Sequence, residues 1–378
     1  MSPRSDSPPR CGARSWQPSN RYSAQDSRSW SPTETSISSS SSPTVGISSN
    51  SAAWSEVAAQ TSAPHNRRSW TCTLAGPIPQ PARLRQAAMA DALIAILVSA
   101  VVLGSLYALL ASGLSIVWST LGVFNYAQGG ILIAAGYLIW TLAGPLGVPV
   151  LLAFILAVPL VALLGVVLEL VAVRPLVHRA NGTLLVMVST LAVASAMGGA
   201  MQLIWGPTNR QLPAVSTETV SIGGTQVAVT SLLALALALS LVIGLIQLLN
   251  RTEWGAGIRA VAQNRDMALL MGIKPSRVYA TVFGIAAVLA CAAALIYGTT
   301  STLTPTKGFE PLLTAFVVLV FGGSATLWGT LLGAFVIGLL EAATSFALGL
   351  QWSPVIVFVV LVAVLLIRPQ GLVKGRTA

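Results

Sequence analysis

The chain has 378 residues, of which 54% are hydrophobic and only 8% are charged, whereas about 25% of the residues in an ordinary soluble domain are charged. This composition excludes a soluble globular protein and predicts an all-α, polytopic membrane protein. The formal net charge of +10 does not indicate nucleic acid as a partner, because about half of it belongs to the first 88 residues and the rest lies mostly in loops beside apolar segments.

The first 88 residues differ from the rest: they contain 9 Arg, 4 acidic residues, 21 Ser and 10 Pro, and no spanning run. A tract such as "SISSSSSP" cannot bury enough apolar surface to offset the entropy of ordering it. Three interpretations remain open: a disordered extension, an Arg- and Ser-rich transit peptide, or sequence translated from a start that the cell does not use. The third is favoured, because Met89 opens "MADALIAILVSAVVLG", a natural beginning for a membrane protein. The membrane domain is therefore predicted at 89–378.

Apolar segments of spanning length follow Met89. A bilayer core of about 30 Å requires about 20 mostly apolar residues for each crossing helix. A shorter run at 311–323 predicts a half-helix or a strongly tilted one, so that eight or nine spans are expected in total. The eight longer segments are 91–118, 128–146, 150–173, 183–205, 227–249, 278–300, 331–350 and 353–367.

The charged loops predict the orientation. Lys and Arg are frequent in 174–182, 250–277 and the C-terminal 368–378, whereas 205–226 and 302–311 each hold one basic and one acidic residue. By the positive-inside rule the first three segments are cytoplasmic and the other two are external. The N-terminus of the membrane domain is then external and the C-terminus is cytoplasmic. The external stretch "VSIGGTQVAV" also predicts a small β-hairpin.

Catalytic groups are scarce in the apolar part of the chain. The acidic residues near spans are Asp91, Glu169 and Glu341, and Glu169 is expected to pair with Arg174. No Ser/His/Asp, HExxH or CxxC arrangement occurs, and the three cysteines form no disulfide framework. An enzyme, a metal site and a cofactor on this chain are therefore not predicted. Glu341 stands alone in the middle of a helix, where it has either a transport role or a packed structural one.

Two glycine-rich interruptions break the apolar pattern, in "LGVFNYAQGGILIAAGYLIW" (121–140) and "LVFGGSATLWGTLLGAF" (319–335). Glycine lets helices approach closely, which is one interpretation. The other is a pair of broken helices lining a substrate pathway, since irregular backbone at membrane depth must face protein or a cavity. Under that interpretation the pathway residues are Asn125, Tyr126, Gln128, Gly129, Gly130, Gly322, Gly323 and Glu341.

The loop 250–277 predicts one or two short helices. Asp266 is a plausible N-cap, Gly272 ends the helix, and Pro275 begins the next span. Its apolar face either contacts a partner protein or lies on the membrane surface. The chain contains no Gly-Lys dipeptide and so no Walker A phosphate loop, which means that ATP-driven transport would need a separate motor chain. The residues of that face are Ile258, Val261, Met267, Leu270 and Met271.

Four stretches resemble one family, the branched-chain amino-acid ABC transporter permeases of the LivH type. They are "GSLYALLASGLSIVWSTLGVFNYAQGGILIAAGY", "GIRAVAQNRDMALLMGIKPSRV", "GFEPLLTAFVVLVFGGSATLWGTLLGAFVIGLLE" and the closing "RPQGL". Together the resemblance covers about 91–373, in the family's order. One departure is Gln128, where the family's usual motif has histidine.

The resemblance implies a multi-pass permease of the bacterial inner membrane that works by alternating access. Its partners would be a second homologous permease, two cytoplasmic ATPase subunits that carry ATP and Mg²⁺, an external solute-binding protein and membrane lipid. Ala262–Met271 would then be the segment that docks on an ATPase. The residues assigned to this coupling are Arg259, Ala262, Asn264, Asp266, Ala268, Met271, Gly272 and Ile273.

Three other functions remain open beside import of branched-chain or other hydrophobic amino acids. Permeases for urea or short amides look alike. A stand-alone secondary carrier would use Glu341, and a structural membrane scaffold would carry no solute.

Overall fold

The computed structural model describes residues 81–177, 179–213, 215, 218–222, 225–323 and 327–367. The predictions for 1–80 and for the C-terminal "RPQGL" therefore lie outside the described residues. Almost all of the described chain is helical, as expected where lipid offers no partner to a backbone N–H or C=O group.

Eleven α-helices occur within the described residues. A π-helical turn, Glu169–Val173, extends α3, and a 3₁₀ turn, Leu350–Trp352, precedes α11. The helices are α1 (Pro81–Leu121), α2 (Ala127–Ala143), α3 (Val150–Leu168), α4 (Gly182–Trp205), α5 (Val229–Arg251), α6 (Glu253–Gln263), α7 (Arg265–Leu270), α8 (Pro275–Thr300), α9 (Phe309–Gly322), α10 (Leu327–Leu348) and α11 (Ser353–Ile367).

The predicted hairpin is confirmed between α4 and α5. Strands β1 (Thr219–Ile222) and β2 (Thr225–Ala228) pair antiparallel, with Val220 opposite Val227. The turn between them lies outside the described residues.

Six of the helices in the described part are long and apolar enough to cross a membrane, and three shorter apolar helices accompany them. The all-α, multi-pass prediction is therefore confirmed, and the short ones include the expected half-helix before Gly323. Helix α1 begins at Pro81, so residues 81–88 are helical where an irregular extension was expected. The hypothesis that synthesis starts at Met89 stays a prediction.

Helix α8 lies at the centre and contacts α1, α2 and α3. Its middle is built from small side chains, which let neighbouring helices come close and pack by dispersion forces. The fully buried members are Ala286, Ala287, Ala290, Cys291, Ala292, Ala293 and Ala294.

The two ends of the helical bundle are distinct. At one end, here called the hairpin end, Arg210 and Leu303 exchange backbone hydrogen bonds of 3.0 and 2.7 Å beside β1 and β2. At the other, the α6–α7 end, helices α6 and α7 connect α5 to α8. Which end faces the cytoplasm stays a prediction of the charge distribution.

Candidate functional site

The first interruption is a five-residue break, 122–126, between α1 and α2. It begins with Gly122 in the left-handed region at φ 66°, which only glycine adopts without strain. The Asn125 side chain accepts a hydrogen bond from the N–H of Ala127 at 3.1 Å, and the N–H of Tyr126 donates to the Thr190 hydroxyl of α4 at 3.3 Å. The polar groups of the break are thus bonded to protein, as its burial requires.

Gln128 lies in the first turn of α2 and is fully buried. Its Nε2 donates to the carbonyl of Ala286 in α8 at 2.8 Å, and its Oε1 accepts a long bond of 3.5 Å from Asn125. Gly113 of α1 leaves the room for this bond, since a Cβ there would stand 2.9 Å from Nε2. In this conformation the Gln128 amide is a contact between helices and does not line a cavity.

The start of α2 lies deep in the bundle. Ala286, its partner through Gln128, is near the middle of the 26-residue helix α8. From there α2 runs to the hairpin end, where the Tyr137 hydroxyl donates to the carbonyl of Leu303 at 3.3 Å. Its 17 residues measure about 25 Å at 1.5 Å per residue, less than the bilayer core of about 30 Å.

Helix α9 begins at the same depth as α2. Gly308, which precedes it, lies so close to Gly129 that a Cβ on either glycine would collide with the carbonyl of the other. From this contact α9 runs to the α6–α7 end, where Gly322 packs beside Gly329 and Thr330 of α10. Two half-helices therefore start together at mid-depth and run in opposite directions.

The second interruption lies within the predicted stretch 319–335, since α9 ends at Gly322 and α10 begins at Leu327. Gly323 ends α9 at φ 93°, and a Cβ on Gly322 would stand 2.7 Å from the carbonyl carbon of Gly329. Gly322 makes the close crossing of α9 with α10 near the α6–α7 end. A further non-helical stretch, 301–308, precedes α9. It starts at the hairpin end, where Leu303 pairs with Arg210, and reaches the depth of the start of α2 at Gly308.

A cavity of about 450 Å³, here called the break cavity, lies where the two half-helices start. Tyr126, Gly129 and Gly130 of the predicted pathway line it, together with Gly308. The opposite wall is α4, including Ser195 and Gln202. Asn125 and Gln128 are not among its lining residues.

Glu341 lies in a different cavity of about 580 Å³, here called the Glu341 cavity, between α1, α8, α9 and α10. Tyr107 of α1 lines the same cavity. Oε2 of Glu341 is buried and makes no hydrogen bond. Lys307 and Glu310 also line this cavity.

The apolar face predicted for the loop 250–277 is divided. Ile258 and Val261 of α6 are each 3% exposed, because they pack against this chain. Met267 is 60% exposed, and Leu270 and Met271 are each 81% exposed. The prediction of one continuous face was therefore wrong for the first two residues, while the other three form an open surface, here called the α7 surface.

The caps of α7 hold this surface in a fixed shape. Asn264, and not the predicted Asp266, is the N-cap, since its Oδ1 accepts from the N–H groups of Asp266 and Met267 at 3.0 and 3.1 Å. Gly272 at φ 80° ends the helix as predicted. The N–H of Ile273 donates to the carbonyl of Ala268 at 3.0 Å and that of Gly272 to Leu269 at 3.0 Å, the two bonds of a Schellman motif.

The predicted coupling residues thus fall into two groups. Arg259, Ala262, Asp266 and Met271 are exposed, and Arg259 and Ala262 line a third cavity of about 350 Å³ beside α1 and α10. Asn264, Gly272 and Ile273 shape the ends of α7, and Ala268 is only 3% exposed, so these residues support the surface and Ala268 cannot contact a partner directly.

The expected pair of Glu169 and Arg174 is confirmed. Nε of Arg174 lies 3.9 Å from Oε1 of Glu169, whose side chain is fully buried. The π-helical turn brings the two together, as the N–H of Arg174 donates to the carbonyl of Glu169 at 2.8 Å. No group of three His, Cys, Asp or Glu side chains that could hold a metal ion occurs in the described residues.

The family model described as "Branched-chain amino acid transport system / permease component" matches residues 96–365. The chain belongs to this permease family. This confirms the resemblance, and it makes the molecule a component of a transport system and a multi-pass membrane permease.

Curated relatives of the permease include two branched-chain amino acid permeases. It is 29% identical to the high-affinity branched-chain amino acid transport system permease protein BraD of Pseudomonas aeruginosa, over 74% of this chain and 95% of the relative. It is 28% identical to the corresponding LivH of Escherichia coli, over 73% and 93%. A shorter match, 31% identical over 33% of this chain and 41% of the relative, is the ribose import permease protein RbsC of Bacillus subtilis. No solved structure matches the permease.

Sequence reasoning missed two residues that organise the permease. Gly308 lies in the polar stretch "TPTKGFEP". The one sequence feature that indicated a position inside the bundle was the apolar run after it, which is too short to cross a membrane. Tyr107 lies in a long apolar run, and nothing in the sequence indicated that it lines one cavity with Glu341.

Proposed function

We propose that the permease is the transmembrane subunit of an ATP-driven importer for branched-chain or other hydrophobic amino acids. The observation that carries this proposal is the α7 surface, where three large apolar side chains stand exposed on a rigidly capped turn. BraD and LivH are both named as branched-chain amino acid permeases, which supports the proposed substrate class.

The α7 surface suits docking by a separate ATPase subunit. Burial of exposed apolar side chains in a partner's groove is worth about 25 cal/mol per Å², and a turn that is already capped loses little entropy when it binds. The chain has no Walker A sequence, so ATP and Mg²⁺ belong to the partner chains. Two such ATPase subunits are expected, by likeness to the family.

Movement of α7 can reach the pathway through one central helix. The Schellman motif joins α7 to Pro275, the first residue of α8, and α8 contacts α1, α2 and α3. The Gln128 bond to Ala286 then links α8 to the start of the half-helix α2. Rocking of these helices around the contact of Gly129 with Gly308 is the proposed alternating access.

The remaining partners and the orientation belong to the same proposal. A second homologous permease would complete the pathway, and a solute-binding protein would deliver substrate at the hairpin end. The hairpin end is then external, and the α6–α7 end is cytoplasmic, in a bacterial inner membrane. The break cavity and the Glu341 cavity are the proposed positions of the pathway.

The substitution Met271→Asp tests the docking proposal. A carboxylate at an 81% exposed position leaves the fold intact but would be buried without a partner in the interface, at a cost of several kcal/mol. We expect membrane insertion at the wild-type level and loss of ATPase binding and transport, measured by co-purification and ATP-dependent uptake in vesicles. Met271→Leu is the matched control and should retain both. Normal transport by Met271→Asp would contradict the coupling assignment.

A further inference from the structure

The Glu341 cavity contains polar side chains whose presence is explained neither by ATPase docking nor by helix packing. Helices α1 and α10 cross at Gly104 and Gly338, where a Cβ on Gly338 would stand 2.6 Å from the nitrogen of Gly104. Tyr107 and Glu341 each follow their glycine by three residues, on the same helical face. Since side chains lean toward the N-terminus of their own helix, those of two antiparallel helices converge here. The close crossing therefore places Tyr107 and Glu341 on the wall of one cavity.

Within the described residues, no ion pair is formed by Glu341, although Lys307 lines the same cavity. Its Oε2 is buried and has no hydrogen bond, and Tyr107, which is 5% exposed, lines the cavity beside it. A buried carboxylate is costly unless a cation or donors satisfy it. Glu310 adds a second carboxylate to the lining, and Tyr297 adds an aromatic ring, a group that also attracts cations.

The other lining groups complement the rest of an amino acid. Lys307 places one ammonium group on the cavity wall, near the start of α9. The volume of about 580 Å³ is within the range of about 300–1,000 Å³ that is usual for small-molecule sites. The apolar part of the wall is formed by Val102, Leu103, Leu106 and Leu313.

We propose that the Glu341 cavity binds a zwitterionic α-amino acid during transport. Glu341, with Glu310 and Tyr107 beside it, receives the ammonium group. Lys307 receives the carboxylate, and the apolar wall contacts the aliphatic side chain. This inference rests on the proposed import function and adds the chemical basis for preferring an amino acid over urea or a short amide, which carry no ammonium group.

The first test uses the complete complex in vesicles, with leucine uptake and ATP hydrolysis measured together. In Glu341→Gln the leucine moved per ATP should fall at least about tenfold, because the counter-ion of the ammonium is lost. ATP hydrolysis stimulated by the loaded binding protein should stay within about twofold, since the α7 surface is unchanged. Glu341→Asp, which keeps the negative charge, should retain more transport than Glu341→Gln.

If Glu341→Gln moves as much leucine per ATP as the wild type does, the proposed binding site is wrong, whereas the proposed import function is unaffected. A wild-type complex that moves urea or acetamide but not leucine overturns the import proposal and the site together.

The second test needs no variant and therefore does not depend on how well Glu341→Gln folds. The wild-type complex is treated with dicyclohexylcarbodiimide, and modification of Glu341 is measured by mass spectrometry. Leucine should reduce the modification several-fold by occupying the carboxyl group, whereas 4-methylpentanoate, which lacks the ammonium, and urea should not. Equal modification with and without leucine, or equal protection by 4-methylpentanoate, overturns the proposal.

Discussion

Gln128 and Asn125 show what a polar side chain does inside an apolar helix. Both are buried, and their amides bond to each other, to the N–H of Ala127 and to the carbonyl of Ala286. A polar group in hydrocarbon must find a partner. The sequence did not predict which partner, because Gln128 and Ala286 are 158 residues apart along the chain and periodicity reports only which residues share a face.

Substitutions at Gln128 test the bond to Ala286. Gln128→Leu removes the donor and should lower the free energy of unfolding by about 1 kcal/mol, the usual scale of hydrogen bonds between membrane helices. Gln128→His, the residue usual in the family's motif, retains an N–H donor and should remain closer to wild type. Both effects are measured by thermal unfolding in detergent. A Leu variant as stable as wild type, or a His variant less stable than Leu, would contradict the assigned bond.

At the scale of elements, the half-helices α2 and α9 are the feature that gives this bundle a mid-depth opening. The sequence predicted that two helices are interrupted, and it located the first break correctly at 122–126. It also located the second within 319–335, where α9 ends at Gly322 and α10 begins at Leu327. It did not indicate that Gly322 makes a tight helix crossing, or that Gly308, in a polar stretch, lies against Gly129 at the start of α2. Glycine content reports close approach and irregular backbone alike, so composition did not separate the two.

The contact between the half-helices is tested by Gly129→Ala. The new methyl group would collide with the carbonyl of Gly308, and overpacking of this kind costs about 1–3 kcal/mol. We expect a lower unfolding temperature and reduced uptake by the assembled transporter. Gly244→Ala on α5 is the matched control, because nothing lies within 4 Å of a Cβ there and a helical Gly→Ala change is neutral or stabilising. Equal stability of the two variants would show that α2 and α9 do not touch as described.

At the scale of the whole molecule, composition alone predicted the fold class, because a chain with 8% charged residues has few alternatives to helices in lipid. Motif resemblance predicted the family. Neither predicted the division between the buried part of α6 and the exposed α7 surface, since Ile258 and Met267 are equally apolar and differ only in what the fold places against them. The exposed α7 surface is where the proposed ATPase subunit would bind, since this chain has no Walker A sequence of its own.

The measurement that tests the claim most directly compares two sets of vesicles. One set contains the permease alone, and the other contains it with its co-purified partner permease, ATPase subunits and binding protein. We predict ATP-dependent accumulation of leucine only in the second set, and its loss when ATP is omitted. Accumulation at full rate by the permease alone, abolished by Glu341→Gln, would contradict the account and identify a secondary carrier.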